Sequence, residues 1–175
     1  MSERIVEFEA KGEASAATVE RVTSAPVSVR AAVERIVGPS AKIVLGPDEF
    51  LPREIWQALR ELPGLITEPT DKQLSTADVG ISGAFAGVSS SGSVCIAMGP
   101  PLAAAASLLM PLHIVVVSPE RIVARPRDLF DPECLGGEGL RRDLVFITGP
   151  SATADMGPLV RGVHGPHRLH ILLLG

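Results

Sequence analysis

Hydrophobic positions along this chain follow two periods, and the switches between them mark its elements. Thr18-Val19-Glu20-Arg21-Val22 alternates with the two-residue period of a strand. Ser24-Ala25-Pro26 then supplies a capping hydroxyl and a first-turn proline, and Val29, Ala32, Val33, Ile36 and Val37 recur at helical spacing until Gly38-Pro39. Ala41 to Leu45 is a short aliphatic strand closed by Gly46-Pro47. A second helix is predicted over about Pro52 to Leu62, with Leu51, Ile55, Leu59 and Leu62 on one face and Pro63-Gly64 as its stop. Strand, helix, strand, helix in this order predicts a parallel sheet with crossover helices.

The pattern changes in the middle. Ala77 to Ala84 reads as a strand running into a turn, and Ala86-Gly87-Val88 and Ser93 to Met98 read as a β-hairpin joined through Ser89 to Gly92. Gly99-Pro100-Pro101 precedes an alanine-rich helix, Leu102 to Met110. His113-Ile114-Val115-Val116-Val117 is a buried strand by its unbroken aliphatic run. Pro119 to Leu140 is irregular and charged, with a short helix near Leu129-Phe130, as suits an excursion over one end of a sheet. Leu144 to Thr148 is expected to resume the sheet and Leu169 to Leu174 to close it. The expected fold is α/β, a mostly parallel central sheet flanked by helices with an inserted β-hairpin. Residues 1–17, polar and rich in Glu and Ala, read as an N-terminal extension, and 18–175 as a single domain.

Composition narrows the function classes. The 175 residues are 46% hydrophobic but only 3% aromatic, with one Trp and no Tyr, which suits the aliphatic core of α/β layers. A net charge of −4, with no basic block and no interleaved aromatics, argues against nucleic-acid binding. The two cysteines, Cys95 and Cys134, lie far apart without C-x-x-C spacing, so no disulfide framework, structural zinc, iron–sulfur cluster or other cofactor is expected. No apolar run approaches the ~18 residues of a membrane span, and the start of the chain has no apolar signal core; a cytoplasmic location is expected.

Candidate chemistry concentrates in Phe146 to Asp155 and on to Pro166. This stretch reads as a strand, a turn at Gly149-Pro150, and a short helix carrying Ser151, Thr153 and Asp155, followed by a second turn at His164-Gly165. Free N–H groups at a helix start beside hydroxyls make an anion site, expected here at the carboxyl edge of a parallel sheet. The alternative is that the same residues only cap the helix. The stretch has neither the G-K-[ST] of a P-loop nor G-x-G-x-x-G. Gly83, Ser91 and Gly92 are small residues that would admit a ligand near the backbone, or form a tight hairpin turn. Of the histidines, His164 beside its glycine turn and His113 at the start of the buried strand are the ligand-binding candidates. His167 and His170 would face opposite sides of a strand, so no metal site is expected. The carboxylates Asp128, Asp131, Glu133, Glu138 and Asp143 show no acid–base pairing, and catalytic residues are not identifiable.

Three blocks together resemble a known family. Phe146 to Asp155 followed by Leu159 to His170 is similar to the C-terminal signature of the LUD-domain family, specifically its LutC/YkgG lactate-utilization proteins. Ser107 to Val117 and Ala77 to Ala84, running into Gly92-Ser93, resemble two further family blocks. The resemblance implies a NagB/RpiA/CoA-transferase-like α/β fold. It also implies an accessory role in oxidising L-lactate to pyruvate beside iron–sulfur partner proteins of the LutA/LutB type, with a small anionic metabolite as a possible ligand. Ser90 and Phe85 stand where relatives commonly carry acidic or polar residues. Two other readings share the fold: an enzyme acting on a carboxylate, acyl or phosphorylated substrate in a CoA-transferase-like cleft, and a small-molecule sensor that binds without turnover.

Overall fold

The computed structural model describes residues 2–99, 101–135, 143–154 and 157–175. In chain order, helix α1 (Glu3–Ala14) leads to β1 (Thr18–Val22), and α2 (Pro26–Val37) to β2 (Ile43–Leu45). A 3₁₀ turn (Asp48–Phe50), α3 (Arg53–Leu59) and α4 (Asp71–Leu74) then precede β3 (Val79–Gly83). Next come β4 (Ala86–Val88), β5 (Ser93–Met98), α5 (Pro101–Leu108) and β6 (Leu112–Val117). Two further 3₁₀ turns (Pro119–Arg121 and Pro126–Phe130) flank β7 (Ile122–Val123), followed by α6 (Pro132–Leu135). β8 (Asp143–Ile147), β9 (Ala152–Thr153), β10 (Val160–Arg161) and β11 (Arg168–Leu174) complete the description.

The central sheet has five strands, all parallel, in the order β1-β11-β6-β3-β2. Alternation along its strands feeds two cores. Ile114, Val116, Leu172 and Leu174 pack with Val79 and Ile81 against Val29 and Val33 of α2 and Ile55 and Leu59 of α3. Val115, Val117, Ile171 and Leu173 point the other way, onto Val94 and Ile96 of β5 and Ile122 of β7. Helix α5 lies on this second face, where Ala106 and Met110 pack with Val44. Both faces of β6 are covered, which is why its run is apolar throughout.

The hairpin β4–β5 forms as expected, but it belongs to a second sheet of four strands, β7-β4-β5-β8, packed on the first. The strand expected to resume the central sheet, β8, instead pairs antiparallel with β5, Phe146 opposite Cys95. Its partly exposed residues give no indication of which sheet they join. The helix expected after Gly149-Pro150 is also not found among the described residues. Ala152 and Thr153 pair antiparallel with Arg161 and Val160 as a small ribbon. The backbone there is already committed: Ser151 N–H donates to the Pro166 carbonyl, and the Ser151 carbonyl accepts from Gly162 N–H. Finally, the polar N-terminal segment is helical and docked. Ile5, Phe8 and Gly12 share one face of α1, and Phe8 is fully buried among β-sheet residues of the second core.

Candidate functional site

Pro111 and Pro166 stand just before β6 and β11, so the loops around them mark the amino-terminal edge of the parallel sheet. The Arg168 N–H donates to the Pro111 carbonyl and ties the two strand starts together. Most of the candidate residues gather here. Gly149 turns the chain with φ +72°, and a Cβ at that position would stand 1.9 Å from the Ser15 carbonyl oxygen, which only a glycine avoids. Ser151 is the node of the loop. Besides its two backbone bonds, its Oγ accepts from the His164 N–H at 3.4 Å, and Gly165 lies against its Cβ. Thr153 sits on the ribbon opposite Val160, half-buried. Asp155 lies outside the described residues.

The loop walls a cleft of about 430 Å³ between the end of α5 and the turn before β11. Leu109, Met110 and Pro111 form one side, and Val163, His164 and His167 the other. No carboxylate lines it among the described residues. The cleft lies at the amino edge of the sheet, so the expected position at the carboxyl edge is corrected. Among the described residues 151–154 the backbone forms a ribbon strand and not a helix start, and the Ser151 N–H is spent on Pro166.

Ser91 and Gly92 reach the same edge by another route. The Ser91 Oγ lies 2.7 Å from Ser93 Oγ, which lies 2.6 Å from Thr148 Oγ1, one residue before Gly149. Gly92 is packed so closely on Gly12 of α1 that a Cβ would come within 2.1 Å of its nitrogen. These two residues build a hairpin turn, with Gly92 packed on α1 and Ser91 partly exposed.

Two candidates lie elsewhere. Gly83 is at the opposite, carboxyl edge, where its bare Cα admits Phe50 and Leu51. His113 is fully buried and hydrogen-bonds through Nε2 to Ser82 Oγ at 2.8 Å; burial pushes its pKa down to about 3, so the ring is neutral. His170 is partly buried, 3.2 Å from a Glu20 carboxylate oxygen. Among the described residues, no group of three or more His, Cys, Asp or Glu is placed to hold a metal, and no helix is long and apolar enough to cross a membrane.

Sequence reasoning passed over Arg121 at the carboxyl edge, whose Nη1 donates to the Phe85 carbonyl at 3.3 Å and whose guanidinium stands 5.5 Å from the Phe50 ring centre. Phe50 and Phe85 meet edge to face at 5.4 Å. The available signal was scarcity: these are two of only five phenylalanines.

These features define an α/β protein of mixed parallel and antiparallel sheets flanked by helices. The LUD domain family model matches residues 9–174, and the chain belongs to that family. It is related to the LutC/YkgG lactate-utilization proteins. It is 32% identical over 120 residues to lactate utilization protein C of Deinococcus radiodurans, covering 67% of this chain and 54% of that protein. With lactate utilization protein C of Halalkalibacterium halodurans it shares 32% over 127 residues, 70% of this chain and 54% of the relative. An uncharacterized protein of Neisseria meningitidis serogroup B is 31% identical over 98 residues, 55% of this chain and 42% of that one. The chain thus spans about half the length of the curated relatives it matches. The crystal structure of a DUF162 family protein from Deinococcus radiodurans, at 1.70 Å, shares the fold with TM-score 0.72 and 22% identity, over 100% of this chain and 99% of that one.

Proposed function

We propose that this chain is a LutC-like accessory component of an L-lactate utilization system, in which L-lactate is oxidised to pyruvate with iron–sulfur partners of the LutA/LutB type. The observation that carries the reading is the family match along 9–174 together with relatives called lactate utilization protein C. A cytoplasmic location and a NagB/RpiA/CoA-transferase-like kinship belong to the same reading, the latter supported by the five-stranded parallel sheet.

The amino-edge cleft is the contact point in this proposal. Leu109 and Val163 on its walls are 64% and 48% exposed, and Leu159 and Val160 on the adjoining ribbon are 61% and 53% exposed. Large apolar side chains grouped in this way mark a contact surface. With two imidazoles and no carboxylate lining it among the described residues, the cleft suits an acidic group carried by a metabolite or a partner. The alternative of an enzyme acting on a carboxylate, acyl or phosphorylated substrate rests on a helix-start anion site and on fold analogy; the strand pairing of Ala152-Thr153 removes the first of these and leaves the second.

The test is reconstitution with the two iron–sulfur proteins. Co-purification is expected, with lactate-dependent reduction of an electron acceptor that falls when this chain is omitted or carries Leu109→Asp with Val163→Asp. A chain that elutes alone and leaves electron transfer unchanged would overturn the proposal.

A further inference from the structure

A second pocket lies at the carboxyl edge of the parallel sheet, away from the cleft just described, and we infer that it binds a small zwitterion with a short apolar body, such as an apolar amino acid. The pocket holds about 210 Å³. Phe85, entering β4 just beyond the end of β3, lines it together with Val123 and Leu129. Glu120 and Arg121, in the 3₁₀ turn after the neighbouring strand β6, and Glu133 of α6 also line it. The crevice outside the carboxyl ends of parallel strands is where open α/β sheets commonly seat ligands.

The charges select the class of molecule. Arg121 is held in place by its bond to the Phe85 carbonyl and its position over the Phe50 ring. A guanidinium has five N–H donors in a fixed fork matched to a carboxylate, and the Phe85 carbonyl takes one of them. Glu120 and Glu133 are exposed carboxylates on the same pocket and match an ammonium. A simple carboxylate would meet one attractive and two repulsive groups. A simple amine would leave the guanidinium unmatched. A molecule bearing both charges matches the guanidinium and the carboxylates together, and its apolar body covers Phe85, Val123 and Leu129. The volume is too small for a nucleotide and ample for an amino acid.

Cys134 lines the same pocket and is exposed, whereas Cys95 is fully buried, with its thiol pushed up to about 12 by burial. Iodoacetamide therefore reports on the pocket through Cys134. L-leucine or L-methionine is expected to slow alkylation of Cys134 saturably, while isovalerate and isoamylamine at the same concentrations do not. Arg121→Gln and the double change Glu120→Gln with Glu133→Gln are each expected to raise the half-protecting concentration by about tenfold or more. The double change involves exposed side chains, so its effect does not hinge on folding. Absence of saturable protection by either amino acid overturns the inference. So does equal protection by isovalerate or isoamylamine, or protection unchanged in the double variant.

Discussion

Ser82 Oγ lies 2.8 Å from Nε2 of His113, joining two adjacent strands inside the layer where β6 is covered on both faces. His113 Nδ1 has no hydrogen-bond partner among the described residues, and burial holds the ring neutral, its pKa down from 6.5 to about 3. An imidazole with a lowered folded-state pKa binds a proton in the unfolded chain before it does in the folded one. Its contribution is therefore complete above about pH 6.5 and is lost as pH falls toward about 3, by up to about 1.4 kcal/mol per pH unit. Urea unfolding across that range should show the decline. His113→Asn should cost about 1–3 kcal/mol near neutral pH by disturbing the buried bond, and should flatten the decline. A variant that keeps the wild-type pH slope would show that His113 is not its source.

Gly80 lies beside His113 in register and faces the backbone of α5. A Cβ there would come 1.8 Å from the Ala106 carbonyl oxygen. Gly80→Ala is expected to destabilise by more than about 3 kcal/mol, since the clash is with main chain that no rotamer change relieves. Ala106→Gly should not rescue it, because the obstructing atom is the carbonyl. Recovery of the midpoint in the double variant would place the conflict in the side chain instead.

These two sites bear on what the sequence could convey. The unbroken aliphatic run of β6 announced burial on both faces, and the switch from two-residue to helical spacing around Ser24-Ala25-Pro26 announced the β1–α2 unit. Local periodicity carries that information. The partner of β8 is set by a distant strand, so Leu144 to Thr148 looked like any other sheet segment. At Ala152-Thr153 hydroxyls favourable to a helix start were outweighed by bonds from Ser151 to Pro166 and Gly162, residues more than ten positions away. The signature residues Ser151, His164 and Gly165 were legible as a group, but their edge of the sheet was not, because chain order gives no direction to a loop until the strand order is known.

The hydroxyl chain Ser91–Ser93–Thr148 fastens the hairpin turn to the end of β8. Ser93 is buried, at 3% exposure, so removing its hydroxyl withdraws a partner from both neighbours. Ser93→Ala should cost about 1–2 kcal/mol, and Thr148→Val less, because Thr148 is exposed. The double variant should cost less than the sum, since both changes break the same bond. Strict additivity in chemical denaturation would show that the two hydroxyls are not coupled.

Helix α1 supplies the last test, because its composition gave the appearance of an extension. Phe8 is 0% exposed, and its ring lies against Gly87, where a Cβ would meet it at 3.0 Å. The same ring packs in the core that also holds Val94 and Ile96 of β5, so α1 closes the space between the two sheets. Phe8→Ala should therefore cost about 3–5 kcal/mol, the range for truncating a buried ring. Val6, on the same helix but 46% exposed, is the control, and Val6→Ala should change the unfolding midpoint little. If Phe8→Ala were as mild as Val6→Ala, the helix would be an appendage; a full core penalty would make residues 3–14 part of the folding unit.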